Sequence, residues 1–207
     1  LKSASRTFKR VMLEMGGKDP MIILEDADLE KAARFAAFNS FRNSGQVCVS
    51  TERIFVPEKI AEQFEVLLVE AVAELKLGDG MSETTTLGPM VNSTQRNHVI
   101  NQIEDAVREG AKVLLGGGGH KDNFVKPTVL TNVTESMSIA SDETFGPVAC
   151  VTRVASVSEA VQKANATPFG LGAAVFSENE EKASRIARQL SAGMVGINQG
   201  VAPSVRG

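Results

Sequence analysis

Cysteine is scarce in this sequence, which contains Cys48 and Cys150 among its 207 residues. Two cysteines cannot form a disulfide framework, so we expect a reducing compartment and predict a cytoplasmic location. Long apolar runs are missing as well, because no uninterrupted stretch approaches the roughly 18 residues that a membrane span needs. The first residues include several basic side chains and no apolar segment of the kind found in signal peptides. These absences predict a protein that does not associate with a membrane.

Charge of one sign is not in excess either, since 22 Lys and Arg face 25 Asp and Glu and the net charge is -3. This balance gives no reason to expect binding to nucleic acid or to an anionic membrane. Histidine is rare: His98 and His120 share no ligand spacing with either cysteine, so we predict no metal site. Phosphate-binding loops are not indicated, because Met12 and Lys121 stand where the two glycine-rich patterns require glycine.

What the sequence does contain is a regular alternation of strand-like apolar runs and helical patterns. A helix is predicted after Asp26 or Asp28, either of which can cap it, and Pro57 opens another. Further helices are predicted at 94–109, 156–166 and 179–190, and strands at 21–24, 54–56, 113–115, 128–130, 148–151, 173–176 and 194–197. The run at 113–115 has the composition of a buried strand. Strands separated by helices predict an α/β fold with a mainly parallel sheet flanked by helices.

One of the two cysteines stands in a position suited to nucleophilic chemistry. Gly45-Gln46-Val47-Cys48 follows a predicted helix end, where a backbone turn can present both the sulfur and its own N–H. A lone cysteine is more often a small buried apolar residue than a nucleophile. Cys150, in the middle of a predicted strand, fits that simpler interpretation. For Cys48, both interpretations stay open at this point.

Two further segments carry carboxylates beside unusual neighbours. Glu14 lies between Leu13 and Met15 and is followed by two glycines, so an apolar environment and freely bending backbone accompany it. Such surroundings suit a general base, and a surface glutamate near a strand is the alternative. The second segment presents Glu143 and Phe145 on a turn before a predicted strand, and its alternative is a solvated turn.

Taken together and in this order, these three segments resemble the aldehyde dehydrogenase superfamily. Leu-Glu-Met-Gly-Gly-Lys at 13–18 is similar to the glutamate motif of that family, and Gly-Gln-Val-Cys at 45–48, with Arg53, to its cysteine motif. Glu-Thr-Phe-Gly-Pro at 143–147 is similar to its cofactor-ribose motif. The resemblance continues through Gly-Met-Val-Gly-Ile-Asn at 193–198 and so covers essentially the whole chain. It implies the fold of an aldehyde dehydrogenase catalytic domain.

The resemblance also implies a reaction, the oxidation of an aldehyde to a carboxylic acid with NAD or NADP. Cys48 would attack the aldehyde as a thiolate and pass through a thiohemiacetal and a thioester, and its backbone N–H would donate to the oxyanion. Glu14 would activate the water that releases the acid. Glu143 would accept hydrogen bonds from the nicotinamide ribose, and Phe145 would pack beside that end of the cofactor.

Four further residues receive roles from the same resemblance. Met15 and Gly16, next to the general base, would belong to the cofactor site. Arg42 is similar to an arginine of succinate-semialdehyde dehydrogenases that grips the distal carboxylate of the substrate, and a surface arginine is the alternative. Asn198 would belong to the substrate site. The expected partner is therefore a small aldehyde, and Arg42 indicates a semialdehyde.

A division of the chain follows from the resemblance too. Residues 1–18 would be the end of the cofactor-binding region, and residues 19–207 the thiol-bearing catalytic domain, truncated at its C-terminus. We expect a piece of a longer protein that is inactive by itself and a homo-oligomer at full length. Two alternatives keep the fold: an inert interaction or folding module, and a thiol esterase that uses Cys48 and Glu14 without a nucleotide.

Overall fold

The centre of the molecule is a seven-stranded sheet, as a computed structural model that describes residues 2–119 and 121–201 shows. Its strands are β1 (Asp19–Ile23), β2 (Thr51–Pro57), β3 (Lys112–Leu115), β4 (Thr128–Thr131), β5 (Val148–Val154), β6 (Gly172–Phe176) and β7 (Met194–Ile197). They lie in the order β3-β4-β5-β2-β1-β6-β7. Neighbouring strands run parallel except for β3, which pairs antiparallel with β4.

Helices cover both faces of this sheet. They are α1 (Lys2–Ser5), α2 (Leu29–Phe41), a 3-10 turn (Arg42–Gly45), α3 (Glu58–Ala73), α4 (Ser93–Arg108), α5 (Ser138–Ser141), α6 (Val157–Asn165) and α7 (Glu180–Ala187). Four of the longer helices begin after a side chain that accepts a hydrogen bond from a first-turn N–H, namely Asp28, Asn92, Ser156 and Asn179. Such caps satisfy donors that have no partner within the helix.

The core lies on both sides of the central strands. Met21 and Ile23 of β1 pack with α2 and α3 on one face, whereas Ile22 and the following Leu24 pack with α6 and α7 on the other. A strand that is buried on both faces is apolar without a break, which is typical of parallel sheets. The short apolar runs of the sequence therefore mark strands that have no solvent-facing side.

Most of the predicted elements are confirmed, including the helix cap at Asp28. One prediction about burial is wrong: β3 is not a buried strand, since Lys112 and Val113 are exposed, Val113 by 40%. Its position explains the difference, because β3 lies at the edge of the sheet and pairs with β4 alone among the described strands. The short helices α1 and α5 and the antiparallel direction of β3 were not indicated by the sequence pattern.

Three adjacent strands, β5, β2 and β1, bring distant parts of the sequence to one edge. Because they are parallel neighbours, the residues that precede each of them by at most a few positions lie side by side. Those residues are the segments 143–147, 45–48 and 13–18. The predicted division of the chain at residue 18 stays a prediction; β1 begins at Asp19. No helix in the described part of the chain has the length and apolar character that crossing a membrane requires.

Candidate active site

A cleft of about 620 Å³ opens at the amino-terminal edge of β1, β2 and β5. The residues that line it are Glu14, Met15, Gly16, Cys48, Thr94, Gln95, His98, Glu143 and Phe145. All the residues that the sequence predicted for the catalytic and cofactor sites are among them. They come from three segments separated by up to 131 positions, so the parallel sheet, and not chain proximity, brings them together.

Cys48 sits in a turn that follows a sharp reversal of the chain. Asn43, Ser44 and Gly45 have positive φ angles of 51°, 57° and 69°, which end α2 and its 3-10 extension abruptly. The turn itself is closed by a hydrogen bond from the N–H of Ser50 to the carbonyl of Val47, 2.9 Å long. Its geometry leaves the Cys48 side chain partly exposed in the cleft.

Cys150 has a different environment. It lies in β5, is 2% exposed, and burial raises the pKa of its thiol to about 12. A thiol of that kind is inert as a nucleophile, because the thiolate is the reactive form. The structure therefore separates the two cysteines, one accessible in the cleft and one buried in the sheet.

Glu14 lines the cleft but does not lie in the apolar environment that its neighbours suggested. Glu14 is exposed, and so are Leu13 (53%) and Met15 (68%). The expectation of apolar surroundings is wrong, because residues 9–18 form no helix or strand and the apolar side chains on either side of Glu14 face solvent. Its carboxylate is therefore accessible to water.

Two glycines, Gly16 and Gly17, hold the segment that contains Glu14 between the segments that contain Cys48 and Glu143. A Cβ on Gly16 would lie 2.5 Å from both carboxylate oxygens of Glu143, and a Cβ on Gly17 would collide with the carbonyl oxygen of Cys48. The N–H of Gly17 donates a hydrogen bond of 2.9 Å to Oε1 of Glu143. Glycine is required at both positions because the backbone fills the space between the thiol-bearing turn and Glu143.

The first turns of α4 contribute residues that the sequence analysis did not identify. Nε2 of Gln95 donates to the carbonyls of Thr144 and Phe145, at 3.0 and 3.1 Å, and Nε2 of His98 lies 3.1 Å from the carbonyl of Glu143. Thr94 lines the cleft beside them. A polar helix face normally indicates solvent, so the sequence carries no signal that distinguishes this one.

A buried ion pair lies directly beneath the cleft. Nζ of Lys18 is 2.6 Å from Oε2 of Glu52, and the side chains are 0% and 3% exposed. Lys18 also donates to the hydroxyl of Thr144 at 3.0 Å. Glu52 in turn accepts from the N–H groups of Thr144 (2.8 Å) and Phe145 (2.9 Å). Both charges are thus hydrogen-bonded as burial requires.

Two more buried ionisable residues, Asp19 and Arg53, directly follow Lys18 and Glu52 in the sequence. Burial raises the pKa of Asp19 to about 7, an effect that the N–H of Gly172 partly offsets by donating to the carboxylate at 3.1 Å. Burial lowers the pKa of Arg53 to about 10. Arg53 donates to the carbonyls of Lys18, Lys163 and Ala164, so this residue of the predicted cysteine motif ties the start of β1 to the end of α6.

The two predicted substrate residues do not line the cleft. The guanidinium of Arg42 stacks 5.8 Å from the ring centroid of Phe38, and its buried Nε has no hydrogen-bond partner among the described residues. Asn198 follows β7 with a φ of 53°, and its amide accepts from the N–H of Ser177 and donates to the Ser177 carbonyl.

Metal ligands do not cluster in the described part of the chain. His98 lies in the cleft, whereas His120 falls outside the residues that the structure describes. The absence of a metal site, which ligand type and spacing predict, stays a prediction.

The sequence matches the model of the Aldehyde dehydrogenase family over residues 1–207. The chain belongs to the aldehyde dehydrogenase family. It is 40% identical over 201 residues to the glutarate-semialdehyde dehydrogenase of Pseudomonas putida, covering 97% of this chain and 42% of that protein. It is 42% identical over 201 residues to the betaine aldehyde dehydrogenase of Sinorhizobium fredii, covering 95% and 41%. The chain thus spans about two fifths of the length of these aldehyde dehydrogenases.

Solved structures of aldehyde dehydrogenases share the fold. The succinate-semialdehyde dehydrogenase from Burkholderia pseudomallei superposes with a TM-score of 0.93 at 41% identity, covering 98% of this chain and 42% of that one. An indole-3-acetaldehyde dehydrogenase complexed with NAD+ gives 0.89 at 39% identity (95% and 41% covered). The Streptococcus pyogenes succinic semialdehyde dehydrogenase, with NADP+ as the cofactor, gives 0.90 at 36% (97% and 45% covered). The predicted family and the predicted α/β fold are both confirmed.

Proposed function

We propose that this chain carries the thiol-bearing catalytic site of an NAD(P)-dependent aldehyde dehydrogenase, which oxidises an aldehyde to a carboxylic acid. The observation that carries the proposal is the single cleft in which Cys48, Glu14, Glu143 and Phe145 meet. Each of these residues comes from a motif that has a separate part in the reaction. Family membership supports the same reaction, since the related proteins are aldehyde dehydrogenases.

Cys48 is the proposed nucleophile. As a thiolate it would attack the aldehyde carbon, forming a C–S bond and an oxyanion, and the partly exposed position of its side chain allows that approach. The backbone N–H of Cys48 would donate to the oxyanion, an interaction that contributes about 3 kcal/mol to a transition state of this kind. Once the aldehyde carbon is oxidised, the acyl group would remain on the sulfur as a thioester.

Glu14 is the proposed general base for release of the acid. Its carboxylate lines the same cleft and is open to water, so it can accept the proton of a water molecule that attacks the thioester. The new C–O bond would form as the C–S bond breaks, and the proton on Glu14 would return to the departing thiolate. Water access makes hydrolysis to a free acid the expected outcome.

The cofactor side of the cleft fits a nicotinamide ribose. Oε1 of Glu143 accepts from Gly17, and Oε2 has no hydrogen-bond partner in the described part of the chain, so this oxygen can accept from a ribose hydroxyl. Phe145 supplies a flat apolar surface, and Met15 and Gly16 line the same region. When bound, the nicotinamide would accept the hydride that leaves the aldehyde carbon. Both NAD and NADP satisfy these contacts.

Arg42 supports a narrower proposal, that the substrate is a semialdehyde with a distal carboxylate. Arg42 does not line the cleft, but its side chain is half-buried and its Nε has no hydrogen-bond partner within the described residues, so the guanidinium retains donors for a carboxylate. A guanidinium binds a carboxylate through parallel hydrogen bonds. We do not extend this proposal to Asn198, since both ends of its amide are engaged by Ser177. With the enzyme that contains this chain, Arg42→Gln should raise the KM for succinate semialdehyde about tenfold or more and leave that for a neutral aldehyde unchanged.

We also propose that the 207 residues alone form NADH or NADPH poorly, because the residues proposed to bind the cofactor are all assigned to its nicotinamide end. Residues that bind the rest of the cofactor would be supplied by further chain. A cytoplasmic location and homo-oligomerisation stay predictions.

The proposed roles of Cys48 as nucleophile and of Glu14 as general base can be tested on the 207-residue chain with an activated ester. 4-Nitrophenyl acetate should acetylate Cys48, displacing nitrophenolate, and intact-mass and peptide mapping should locate the thioester there. In Glu14→Gln the acetylated form should accumulate, with deacylation slowed at least tenfold. Glu83→Gln, at another exposed glutamate, and Cys150→Ala serve as matched controls and should behave like the unmodified chain.

Binding of the cofactor is tested on the same chain with nicotinamide mononucleotide. This compound contains the nicotinamide and the ribose that the cleft would contact. Its addition should shift the Met15 methyl resonance in methyl-labelled protein, and Glu143→Gln should weaken the effect. Acetylation without any nucleotide effect would favour a thiol esterase. Failure to acetylate Cys48 would favour an inert module, and either result would overturn the proposal.

A further inference from the structure

The loop that would contact the cofactor has a strained backbone. Phe145 has a φ of 46°, in the left-handed region that residues with a side chain rarely adopt. Strain of this kind persists only where the surroundings determine it, and it is found preferentially at functional sites. Groups around Phe145 must therefore stabilise its backbone in this conformation.

One of those groups is the buried carboxylate of Glu52. Its two oxygens accept from two consecutive N–H groups, Oε2 from Thr144 at 2.8 Å and Oε1 from Phe145 at 2.9 Å. Nζ of Lys18 lies 2.6 Å from Oε2 and also donates to the hydroxyl of Thr144. From the other side, Gln95 donates to the carbonyls of both loop residues. Every polar group of these two residues is thus held.

The same ion pair connects the loop to the two catalytic segments. Glu52 follows Cys48 by four residues and stands at the start of β2, and Lys18 follows Glu14 by four residues and stands just before β1. The nucleophile segment, the general-base segment and the cofactor loop therefore meet at one buried carboxylate.

We propose that Glu52 is a positioning residue, which acts through its two backbone hydrogen bonds to hold Phe145 in the left-handed conformation and so to orient the ring in the cleft. This proposal rests on the proposed function, because only in that function does the loop at Phe145 contact a cofactor. A role in stability alone would not need this geometry, because a buried ion pair is often replaceable by apolar residues without loss. One side chain can accept from two successive N–H groups when it offers two acceptor oxygens, as the carboxylate of Glu52 does.

The absence of tryptophan and tyrosine from the chain permits a direct test. In a Phe145→Trp background the introduced indole is the single strong fluorophore, so its acrylamide quenching and anisotropy report the loop alone. Glu52→Gln in that background should raise the quenching constant about threefold and lower the anisotropy. Glu65→Gln is the matched control, because Glu65 is also buried and accepts from Thr131 and Arg153, away from the loop.

A second measurement does not depend on the indole. If Glu52 holds a strained residue, Glu52→Gln should lower the urea midpoint more in a Phe145→Gly background, because glycine adopts a positive φ freely and no relief of strain then offsets the lost hydrogen bonds. We expect the midpoint shift to increase by about half, while the shift caused by Glu65→Gln stays the same in both backgrounds.

Equal responses to Glu52→Gln and Glu65→Gln in both measurements would overturn the proposal. Neither readout uses a cofactor, so its failure is distinguishable from failure of the proposed function. If the loop loosens in Glu52→Gln but nicotinamide mononucleotide has no effect on the unmodified chain, the positioning role stands and the cofactor assignment fails.

Discussion

The backbone of Gly17 packs against the carbonyl oxygen of Cys48 with no room for a side chain between them. The N–H of the same residue donates to Glu143 at 2.9 Å. A single glycine therefore sets the spacing between the proposed nucleophile and the proposed ribose-binding carboxylate. A Cβ added at this position must displace the Cys48 carbonyl or move Gly17 away from it, which would disturb the hydrogen bond to Glu143.

Gly17→Ala should consequently destabilise the protein by about 2–3 kcal/mol, since overpacking against backbone cannot be relieved by a rotamer change. Gly118→Ala is the control, because a Cβ there meets no atom within 4 Å. Urea unfolding followed by far-UV circular dichroism measures both variants, as the chain has no tryptophan or tyrosine. Equal effects of the two substitutions would show that the cleft backbone is free to adjust.

Asp19 makes stability depend on pH. Its folded-state pKa is raised from 3.8 to about 7, first by burial and then by the nearby carboxylates of Glu52 and Glu143, against the opposing effects of Gly172 and Arg53. The native state therefore binds the proton more tightly than the unfolded state. The contribution of Asp19 to the free energy of unfolding is greatest below about pH 4 and falls as pH rises to about 7.

Asp19→Asn should remove this dependence while keeping an oxygen that accepts from Gly172. The stability of the variant relative to the unmodified chain should rise by about 2 kcal/mol between pH 5 and pH 8. Urea titrations at the two pH values measure the difference. Asp122→Asn, at an exposed position, should show no such trend. If the stabilities of Asp19→Asn and of the unmodified chain change with pH by the same amount, the prediction is contradicted.

The two thiols should differ strongly in reactivity. Iodoacetamide should label Cys48 at least 100-fold faster than Cys150 in the folded protein, because Cys150 is 2% exposed and burial raises its pKa to about 12. Peptide mapping over time measures both rates. In urea the difference should vanish, and similar slow labelling of both in the folded chain would indicate that Cys48 is not presented for chemistry.

The buried ion pair should contribute far more to the stability of the protein than an exposed ion pair. Lys18→Met leaves the Glu52 charge without its partner in the interior and should cost about 3–5 kcal/mol. Lys59→Met breaks the exposed pair with Glu25 and should change stability by less than about 1 kcal/mol. Adding Glu52→Gln to Lys18→Met should recover part of the loss, and comparable losses for the two single lysine variants would refute this account.

Much of the fold could be predicted because the central strands have no polar face. Residues 21–24 form an unbroken apolar run because β1 is buried on both sides. Asp28 indicates the start of the helix that follows, since its side chain caps that helix. The direction and exposure of β3 could not be predicted, because they depend on its place at the sheet edge. That place is a property of the packed sheet, which no local pattern encodes.

The site was predictable in its residue types but not in its surroundings. The motifs identified Cys48 and Glu143, yet only the strand order β5-β2-β1 brings them together. Glu14 was expected among apolar neighbours, and the structure exposes it together with them. Glu52 gave no signal at all, because glutamate is rarely buried and its partners lie 34 and more positions away.

The cleft occupies the edge where the parallel strands begin, and none of the residues that line it lies at the edge where they end. β2 and β5 are seven residues long, so the two edges are separated by roughly 20 Å. The turn after β5, with exposed Ala155, belongs to that distant edge. An affinity tag, a fluorescent dye or a short inserted peptide attached there would give an engineer a handle on the protein without disturbing the thiol.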